Sequence, residues 1–551
     1  MSVKYIILLV LALAIYMIAT TIRPFKSKWI NFICFVFLLI AIHYCFDILF
    51  ELLNVVPNEF SYIPVGISLF IYIISNVTAE SNYKLDKAKA FYLETVSGDK
   101  IYFGYPNDNF LILGGAGSGK TKSIGKPLME QFIANGWAGF IYDYKDFDYT
   151  KTAYNLCKKH NYPHEFYFVS FTDLKRTYRF NPLAPDIIGS ETLLFQLMDD
   201  ILSASIPPDT KKDEWFQGAL GVLRGVAWVL YDRYRDMCTL PHILNLILMA
   251  DKQQLFYFLD RFPMSRMLAG AFIDAKGSER TQASFLSTLS NYITTIATNK
   301  NVAYVLTEGA NKKINFKFNL IDPEHPKLFA VANNFALESI LSPIISMLMV
   351  LSARQIKFGN TTKFVYILDE MTTFKVRDFQ NFPSVLREYG AAFVILTQSG
   401  AKLEKLYGKF DRSSIEANCS NLFLGRTKDV EALKYYPLFF GKEEKKKKSK
   451  SSGSSNSGHN SSVTISTQKE EVYESKDFSA LTPGQFIGMA GHTNKPLFDV
   501  TFKQFSLKEE ELPILAAVTQ DDVNENFDRI LNEVISILPK AFDRNENEEV
   551  G

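Results

Sequence analysis

Eight consecutive residues that begin at position 114 have the composition of a phosphate-binding loop. They fit the pattern GxxxxGK(S/T), directly follow a short apolar run and precede a helical stretch. Glycines let successive backbone N–H groups turn toward phosphate oxygens, and the helix N-terminus adds partial positive charge. We therefore predict ATP binding, with Lys120 on the β- and γ-phosphates and Thr121 on Mg²⁺. The predicted loop comprises Gly114, Gly115, Ala116, Gly117, Ser118, Gly119, Lys120 and Thr121.

A second acidic element lies far along the chain. Residues 364–368 are all apolar, as in a strand buried on both faces, and Asp369 and Glu370 follow directly. A nucleoside triphosphatase needs a carboxylate for the metal and an oriented water for attack. We predict that Asp369 completes the Mg²⁺ shell and that Glu370 polarises the attacking water.

Three further polar residues are candidates for the same chemistry. The strand-like run 391–396 leads to Gln398, whose amide could sense or position the γ-phosphate. Arg387 lies between two strands and Arg426 follows the strand-like run 421–425. Both arginines are candidates for stabilising charge on a neighbouring subunit's nucleotide. The alternatives are a satisfied polar residue at a strand end for Gln398 and surface ion pairs for the arginines.

The elements that must position these residues are those of an α/β protein. From residue 90 onward, short β-rich runs alternate with helical stretches, which indicates a mainly parallel sheet. Lys120 and Asp369 are too far apart for a core with short connections, so the helical segment between them is predicted as an inserted all-α subdomain. Residues 442–462, which are rich in Lys, Ser and Gly, are predicted to be a flexible loop because they cannot bury enough apolar surface to fold. The alternative is a nucleic-acid-binding function for the lysines.

These expectations define a domain organisation. The acidic C-terminal tail carries apolar residues at helical spacing, a stripe that packs either on its own protein or on a partner. The predicted segments are a transmembrane region at 1–80, ATPase core at 81–186, an all-α subdomain at 187–305, ATPase core at 306–441, the flexible loop at 442–462, closing strands at 463–505, and the tail with an amphipathic helix at 506–551.

Three long apolar runs occupy the N-terminal region. Residues 5–22, 29–49 and 62–77 are each near the ~20 residues needed to cross a bilayer. Lys and Arg follow the first and third runs but not the second, which favours three spans with the N-terminus outside. We therefore expect a multi-pass protein of the cytoplasmic (inner) membrane with its ATPase domain in the cytoplasm. The alternative for the first run is a cleaved signal peptide.

Composition excludes several classes of protein. The 551-residue chain is 47% hydrophobic and 22% charged, so it can bury a large core. Lys plus Arg (60) nearly balances Asp plus Glu (59), which excludes a histone-like basic protein and requires any nucleic-acid contact to use a local basic surface. The five cysteines have no CxxC spacing, so neither a disulfide framework nor a zinc site is indicated.

The ordered set of motifs resembles the type IV secretion system coupling proteins of the VirD4/TraG/TraD group. The resemblance covers most of residues 90–505. The residues at 387–389 and the Ser/Lys linker are similar to the corresponding sequences of coupling proteins from Bacteroidetes mobile elements. Besides the phosphate loop and Asp369-Glu370, it includes Asp143 and Lys145 as a D-x-K strand end, a helical insertion opening with Trp215, and residues 386–390, 397–399, 403–408 and 481–484.

The resemblance implies a function. It implies a RecA-like core in a homo-hexameric ring, with Arg387 at the position of the family's trans-acting arginine. Such proteins pass relaxase-bound single-stranded DNA, or protein substrates, to the components of a type IV secretion channel. Family members usually have two membrane spans, whereas the charge pattern here favours three.

Three other functions compete with this one. An FtsK/SpoIIIE-like double-stranded DNA translocase would be expected to end in a winged-helix module, and the acidic tail offers no basic recognition helix. A membrane-bound GTPase would need an NKxD motif, which the closest runs lack. A receptor that docks protein substrates and uses ATP only to assemble is disfavoured by the retained catalytic residues, although protein cargo stays open.

Overall fold

The computed structural model describes residues 35–44, 48, 85–207, 210–455 and 458–539, and the chain divides into two units at residue 85. In the first unit, residues 35–44 and 48 are helical. Within the described residues, no helix combines the length and apolar character that crossing a bilayer requires. The predicted spans at 5–22 and 62–77, and most of that at 29–49, lie outside the described residues.

The second unit is built on strands that follow the predicted β-rich runs. In chain order they are β1 (Phe91–Glu94), β2 (Lys100–Phe103), β3 (Phe110–Leu113), β4 (Ala138–Asp143), β5 (Glu165–Val169), β6 (Lys327–Ala332), β7 (Phe364–Leu368), β8 (Ala391–Thr397), β9 (Asn421–Gly425), β10 (Lys442–Ser455), β11 (Gly458–Glu471), β12 (Gln485–Met489) and β13 (Leu497–Thr501).

A nine-stranded sheet has the order β13-β12-β9-β3-β8-β7-β4-β6-β5. The seven strands from β9 to β5 in this order are parallel, whereas β12 pairs antiparallel with both β9 and β13. β3, β7 and β8 are buried along their whole length, as expected for parallel strands covered on both faces. The predicted α/β fold with a mainly parallel sheet is confirmed.

Helices cover both faces of this sheet. They are α1 (Lys126–Ala134), α2 (Asp148–Lys159), α3 (Pro185–Ile188), α4 (Glu191–Ser205), α5 (Glu214–Arg233), α6 (Leu240–Met249), α7 (Lys252–Asp260), α8 (Pro263–Leu268), α9 (Gly270–Asp274), α10 (Glu279–Ala297), α11 (Lys300–Val305), α12 (Glu338–Gln355), α13 (Phe382–Glu388), α14 (Gly400–Tyr407), α15 (Lys409–Ala417), α16 (Val430–Tyr435), α17 (Ser475–Ala480) and α18 (Gln520–Ile537).

Side-chain alternation along the strands feeds two hydrophobic cores. Phe110 and Ile112 of β3 join a cluster with α1 and α2, whereas Leu111 and Leu113 join a larger cluster with the helices inserted between β5 and β6. Successive side chains of a strand point to opposite faces, so a single strand contributes to both cores. The inserted helices α4 to α11 lie within the segment predicted to be all-α.

The C-terminal tail packs on its own chain. Residues 509–511 contact α2, where Lys158 pairs with Glu510 at 2.8 Å. The last helix, α18, packs against α6 and α11 and buries Val523, Ile530 and Val534. This is the first of the two alternatives left open for the predicted amphipathic stripe.

The Lys/Ser-rich segment differs from its prediction. Residues 442–462 were expected to form a flexible loop, but β10 and β11 pair as a long antiparallel hairpin. A two-stranded ladder satisfies backbone hydrogen bonds without a buried core, and the β-branched residues at 463–465 favour extended backbone. The prediction judged the segment only by the apolar area it could bury.

Candidate nucleotide-binding site

The phosphate loop and the paired acids line one cavity of about 490 Å³. Leu113 at the end of β3 pairs with Thr397, and Leu368 at the end of β7 pairs with Ile395, so the residues after these strands meet at one sheet edge. In parallel sheets this carboxyl edge is where ligands bind. The lining residues are Ala116, Gly117, Ser118, Gly119, Lys120, Thr121, Lys122, Tyr144, Lys145, Asp369, Glu370, Gln398, Pro483 and Gln504.

The loop adopts a backbone that requires glycine. Gly117 and Gly119 have φ of 71° and 97°, a left-handed region that other residues rarely adopt. A Cβ on Gly119 would come within 2.6 Å of the backbone nitrogen of Gly484. That nitrogen donates a hydrogen bond of 2.8 Å to the carbonyl of Ser118, so the closing segment near residue 484 packs directly on the loop.

Lys120 opens the helical turn that leads into α1. Its Nζ donates to the carbonyl oxygens of Gly114 at 2.5 Å and Gly115 at 3.3 Å. Burial lowers the pKa of Lys120, and the carboxylates of Glu370 and Asp369 oppose that shift. The ammonium therefore lies between the loop and the acids, where a β- or γ-phosphate would meet it.

Asp369 is a buried acid with an unsatisfied oxygen. Burial raises its pKa from 3.8 to about 7, while Lys145 opposes the shift and the charges of Asp143 and Glu370 add to it. Its Oδ2 has no hydrogen-bond partner among the described residues. Because buried polar atoms are almost always satisfied, this oxygen fits a site for a bound cation, and carboxylate and hydroxyl oxygens such as those of Asp369 and Thr121 suit Mg²⁺.

Glu370 is held in a left-handed backbone conformation with φ of 50°. Such strain in a residue other than glycine often accompanies a functional site. Its Oε1 accepts hydrogen bonds from the hydroxyl of Thr372 at 3.2 Å and the backbone nitrogen of Gln398 at 3.4 Å. The carboxylate is therefore fixed at the wall of the cavity, next to β8.

Gln398 contacts a residue that the sequence analysis missed. Its Oε1 accepts a hydrogen bond of 2.9 Å from Nζ of Lys402, which also lies 3.6 Å from Oε1 of Glu370. The available signal was spacing, because Lys402 follows Gln398 by four residues and Ser399 caps the start of α14. Tyr144 and Gln504, which also line the cavity, were missed as well.

The aspartate of the D-x-K strand end, Asp143, has a structural role. Asp143 is fully buried and accepts hydrogen bonds of 2.8 Å from both the backbone nitrogen and the hydroxyl of Thr150. Burial raises the pKa of Asp143, which these hydrogen bonds oppose. Asp143 thus fixes the turn that presents Tyr144 and Lys145 to the cavity.

The two predicted arginines occupy opposite edges of the sheet. The carbonyl of Arg426 accepts a hydrogen bond of 2.8 Å from Gly115, and its guanidinium lies 3.9 Å from where a Cβ of Gly117 would stand. Arg426 therefore borders the loop of its own chain, and its expected action on a neighbouring subunit's nucleotide stays a prediction. Arg387 lies in the last turn of α13 at the amino edge, separated from the cavity by the length of β8, roughly 20 Å.

Comparisons with known proteins agree with this geometry. Residues 363–483 match the family model described as the TraM recognition site of TraD and TraG. The fold is similar to the bacterial conjugative coupling protein TrwB without its first 70 residues, with TM-score 0.59 and 16% identity over 79% of this chain and 95% of that one.

Two further TrwB structures are also similar, both at TM-score 0.57 and 17% identity. The complex with a non-hydrolysable GTP analogue covers 78% of this chain and 94% of that one, and the complex with ADP and Mg²⁺ covers 79% and 94%. Among curated proteins, none matches this chain in sequence.

The fold and the cavity define an α/β protein of the nucleoside-triphosphatase type, with a phosphate loop and paired acids at one sheet edge. The sequence match to the TraD and TraG family model covers residues 363–483, and the likeness to TrwB extends to the fold of most of the chain.

Proposed function

We propose that this protein is a membrane-anchored P-loop ATPase that couples ATP hydrolysis to the transfer of relaxase-bound single-stranded DNA, or of a protein substrate, into a type IV secretion channel during conjugation. The observation that carries the proposal is the single cavity lined by both the phosphate loop and the paired acids Asp369 and Glu370. A RecA-like motor needs these two elements to face one nucleotide.

The nucleotide and the metal follow from the donor groups of the cavity. Backbone N–H groups of the loop and Lys120 would hold the phosphates, and Thr121 with Asp369 would hold Mg²⁺, which neutralises charge on the phosphates when bound. The TrwB complexes with nucleotides and with Mg²⁺ support the same ligands here.

Hydrolysis needs a proton acceptor and an oriented water. Glu370 has its Oε1 occupied by neighbouring donors, so its second carboxylate oxygen is the atom that would accept the proton. Gln398 lines the same wall of the cavity and would orient the γ-phosphate end of the nucleotide. Lys120 would stabilise the charge that develops on the transferred phosphoryl group.

The proposal also includes the oligomeric state of the protein, its partners and its membrane anchor. Arg387 lies too far from the cavity of its own chain to touch a nucleotide there, which supports action on a neighbouring subunit in a homo-hexamer. The TraM description of the matched family favours a contact between residues 363–483 and a relaxosome protein. Anchoring in the inner membrane rests on the three apolar runs of the first 80 residues.

The test is ATP hydrolysis by the purified full chain, with and without single-stranded DNA. Lys120→Ala should abolish turnover by removing the phosphate contact, and Glu370→Gln should lower kcat by roughly 10²- to 10⁴-fold while nucleotide binding persists. Lys405→Ala and Glu388→Gln, at exposed positions outside the cavity, are matched controls. Undiminished turnover in Lys120→Ala would overturn the mechanism.

A mating assay with the same variants tests the cargo. If the protein transfers relaxase-bound DNA, Lys120→Ala should abolish transfer of a mobilisable plasmid without a chromosome-segregation defect. The ATPase should respond to single strands at least as strongly as to duplexes. Stimulation by duplex DNA alone, with normal mating, would favour the double-stranded DNA translocase.

A further inference from the structure

Lys402 stands on the first turn of α14, immediately beside the cavity. Its Nζ lies 2.9 Å from Oε1 of Gln398 and 3.6 Å from Oε1 of Glu370. A single ammonium therefore contacts both polar residues that are predicted to act at the γ-phosphate end. Ser399 caps the helix by accepting a hydrogen bond from the backbone nitrogen of Lys402, so the backbone of Lys402 has a fixed position.

The lysine determines which end of the Gln398 amide faces it. A lysine ammonium carries three donors and no acceptor, so only the amide oxygen can bind it. The amide nitrogen of Gln398, with its two N–H donors, is then directed elsewhere, and Gln398 is a wall residue of the cavity. Phosphate oxygens accept hydrogen bonds, so this orientation presents the group that a γ-phosphate requires.

The contact of Lys402 with Glu370 orients the carboxylate of Glu370. Lys402 lies near Oε1 of Glu370, which also accepts hydrogen bonds from Thr372 and from the backbone nitrogen of Gln398. The second carboxylate oxygen of Glu370 takes part in none of these three contacts. The side chain of Lys402 is 47% exposed, whereas that of Glu370 is 10% exposed. An ion pair with one solvated partner contributes little to folding stability. We therefore expect Lys402 to act by orienting Gln398 and Glu370 and not by stabilising the fold.

We propose that Lys402 is a positioning residue of the ATPase site, which holds Gln398 with its N–H groups toward the γ-phosphate and Glu370 with one free oxygen toward the attacking water. This inference rests on the proposed ATP hydrolysis. It assigns Lys402 no contact with nucleotide, and it predicts that Lys402 acts only through Gln398 and Glu370.

The first experiment measures kcat and KM for ATP in the full chain with substitutions at Lys402. Lys402→Met should lower kcat about 10-fold, less than the roughly 10²- to 10⁴-fold loss expected when the base itself is removed, with KM within about twofold of the wild type. Lys402→Arg keeps the charge and the donors and should restore kcat to within about threefold. Lys402→Gln can still donate to Gln398 but lacks charge, so its kcat should fall between these two.

The second experiment combines substitutions. If Lys402 acts through its two partners, Lys402→Met should have no further effect in a chain that carries both Gln398→Ala and Glu370→Gln, because interacting residues are not additive. Lys405→Met, on the same helix and exposed, is the matched control and should leave kcat unchanged. ADP affinity and the thermal unfolding midpoint should be the same in all Lys402 variants.

Failure of this inference and failure of the proposed function give different results. A wild type that hydrolyses no more ATP than Lys120→Ala overturns the proposed function and this inference with it. An active wild type with unchanged or increased kcat in Lys402→Met, or an equal loss in Lys402→Arg, overturns the role of Lys402 alone. A full 10-fold loss that persists in the triple variant also overturns it, because Lys402 would then act independently of its partners.

Discussion

The two edges of the parallel sheet both carry buried acids, but their bonding differs. At the carboxyl edge, Asp369 has a buried oxygen without a hydrogen-bond partner among the residues that the structure describes. At the amino edge, Asp108 is equally buried, yet its Oδ2 accepts a 2.6 Å hydrogen bond from Nδ1 of His492 and its Oδ1 lies 3.5 Å from the guanidinium of Arg387.

This difference separates a binding site from a structural cluster. Leaving a buried polar atom unsatisfied costs roughly 1–3 kcal/mol, so an unsatisfied carboxylate oxygen in a residue that lines a cavity fits a site where a ligand supplies the missing partner. The amino-edge acid already has protein partners and needs no ligand. A buried aspartate is therefore predicted to bind metal at the carboxyl edge of the sheet, whereas a buried aspartate at the amino edge is predicted to stabilise the fold.

The largest effect is expected from Asp369→Asn. Loss of the carboxylate removes a negatively charged Mg²⁺ ligand, and we expect kcat for ATP to fall roughly 10³-fold at saturating Mg²⁺. The measurement is steady-state hydrolysis over a Mg²⁺ titration, with Asp528→Asn on the exposed side of α18 as the control. A normal kcat and an unchanged Mg²⁺ dependence would place the metal elsewhere.

The same substitution should stabilise the nucleotide-free protein in a pH-dependent way. Burial raises the pKa of Asp369 from 3.8 to about 7, so the stability contributed by its protonated form is full below pH 4 and is lost as the pH rises to 7. In EDTA at pH 8, Asp369→Asn should therefore be more stable than the wild type by roughly 2–4 kcal/mol, and by less at pH 5. Urea unfolding at the two pH values checks this. An equal gain at both pH values would show that the ionised carboxylate is not the cause.

Arg387 tests whether the amino edge serves a second subunit. Arg387→Ala should leave ADP affinity unchanged and lower kcat roughly 10³-fold if the guanidinium acts on a neighbour's nucleotide. Mixing Arg387→Ala with Lys120→Ala chains should then restore part of the activity, because a mixed assembly contains sites with an intact loop and an intact arginine. Hydrolysis by the mixture that equals the sum of the separate variants would argue against action in trans.

The sequence predicted the parts of the site that depend on consecutive residues. The loop at 114–121 and the Asp369-Glu370 pair are recognisable because each follows an apolar strand, and the ends of parallel strands meet at one sheet edge. The position of Arg426 beside its own loop was not predictable in this way. It depends on β9 lying next to β3, and strand order comes from the packing of the whole sheet.

Contacts made by the helix after β8 were predictable only in part, because spacing could indicate the contact of Lys402 with Gln398 but not its contact with Glu370. The approach of Lys402 to Glu370 depends on the angle at which α14 leaves β8, which no spacing within residues 397–403 determines. The hairpin at 442–471 was missed for a different reason. Backbone pairing can order a polar segment, whereas composition measures only its capacity to bury apolar surface.

The smallest effects on folding stability are expected at the amino edge. Asp108→Asn replaces the ionised acceptor of a charge-assisted hydrogen bond with His492 and should lower the free energy of unfolding by roughly 1–2 kcal/mol. Arg387→Met should cost about 0.5 kcal/mol or less, because the side chain of Arg387 is 47% exposed and its ion pair is screened by solvent. Urea unfolding measures both, and ADP affinity should be unchanged. A loss of ADP binding in Asp108→Asn without a change in stability would mean that the satisfied acid also serves the nucleotide, and that bonding state does not distinguish the two edges.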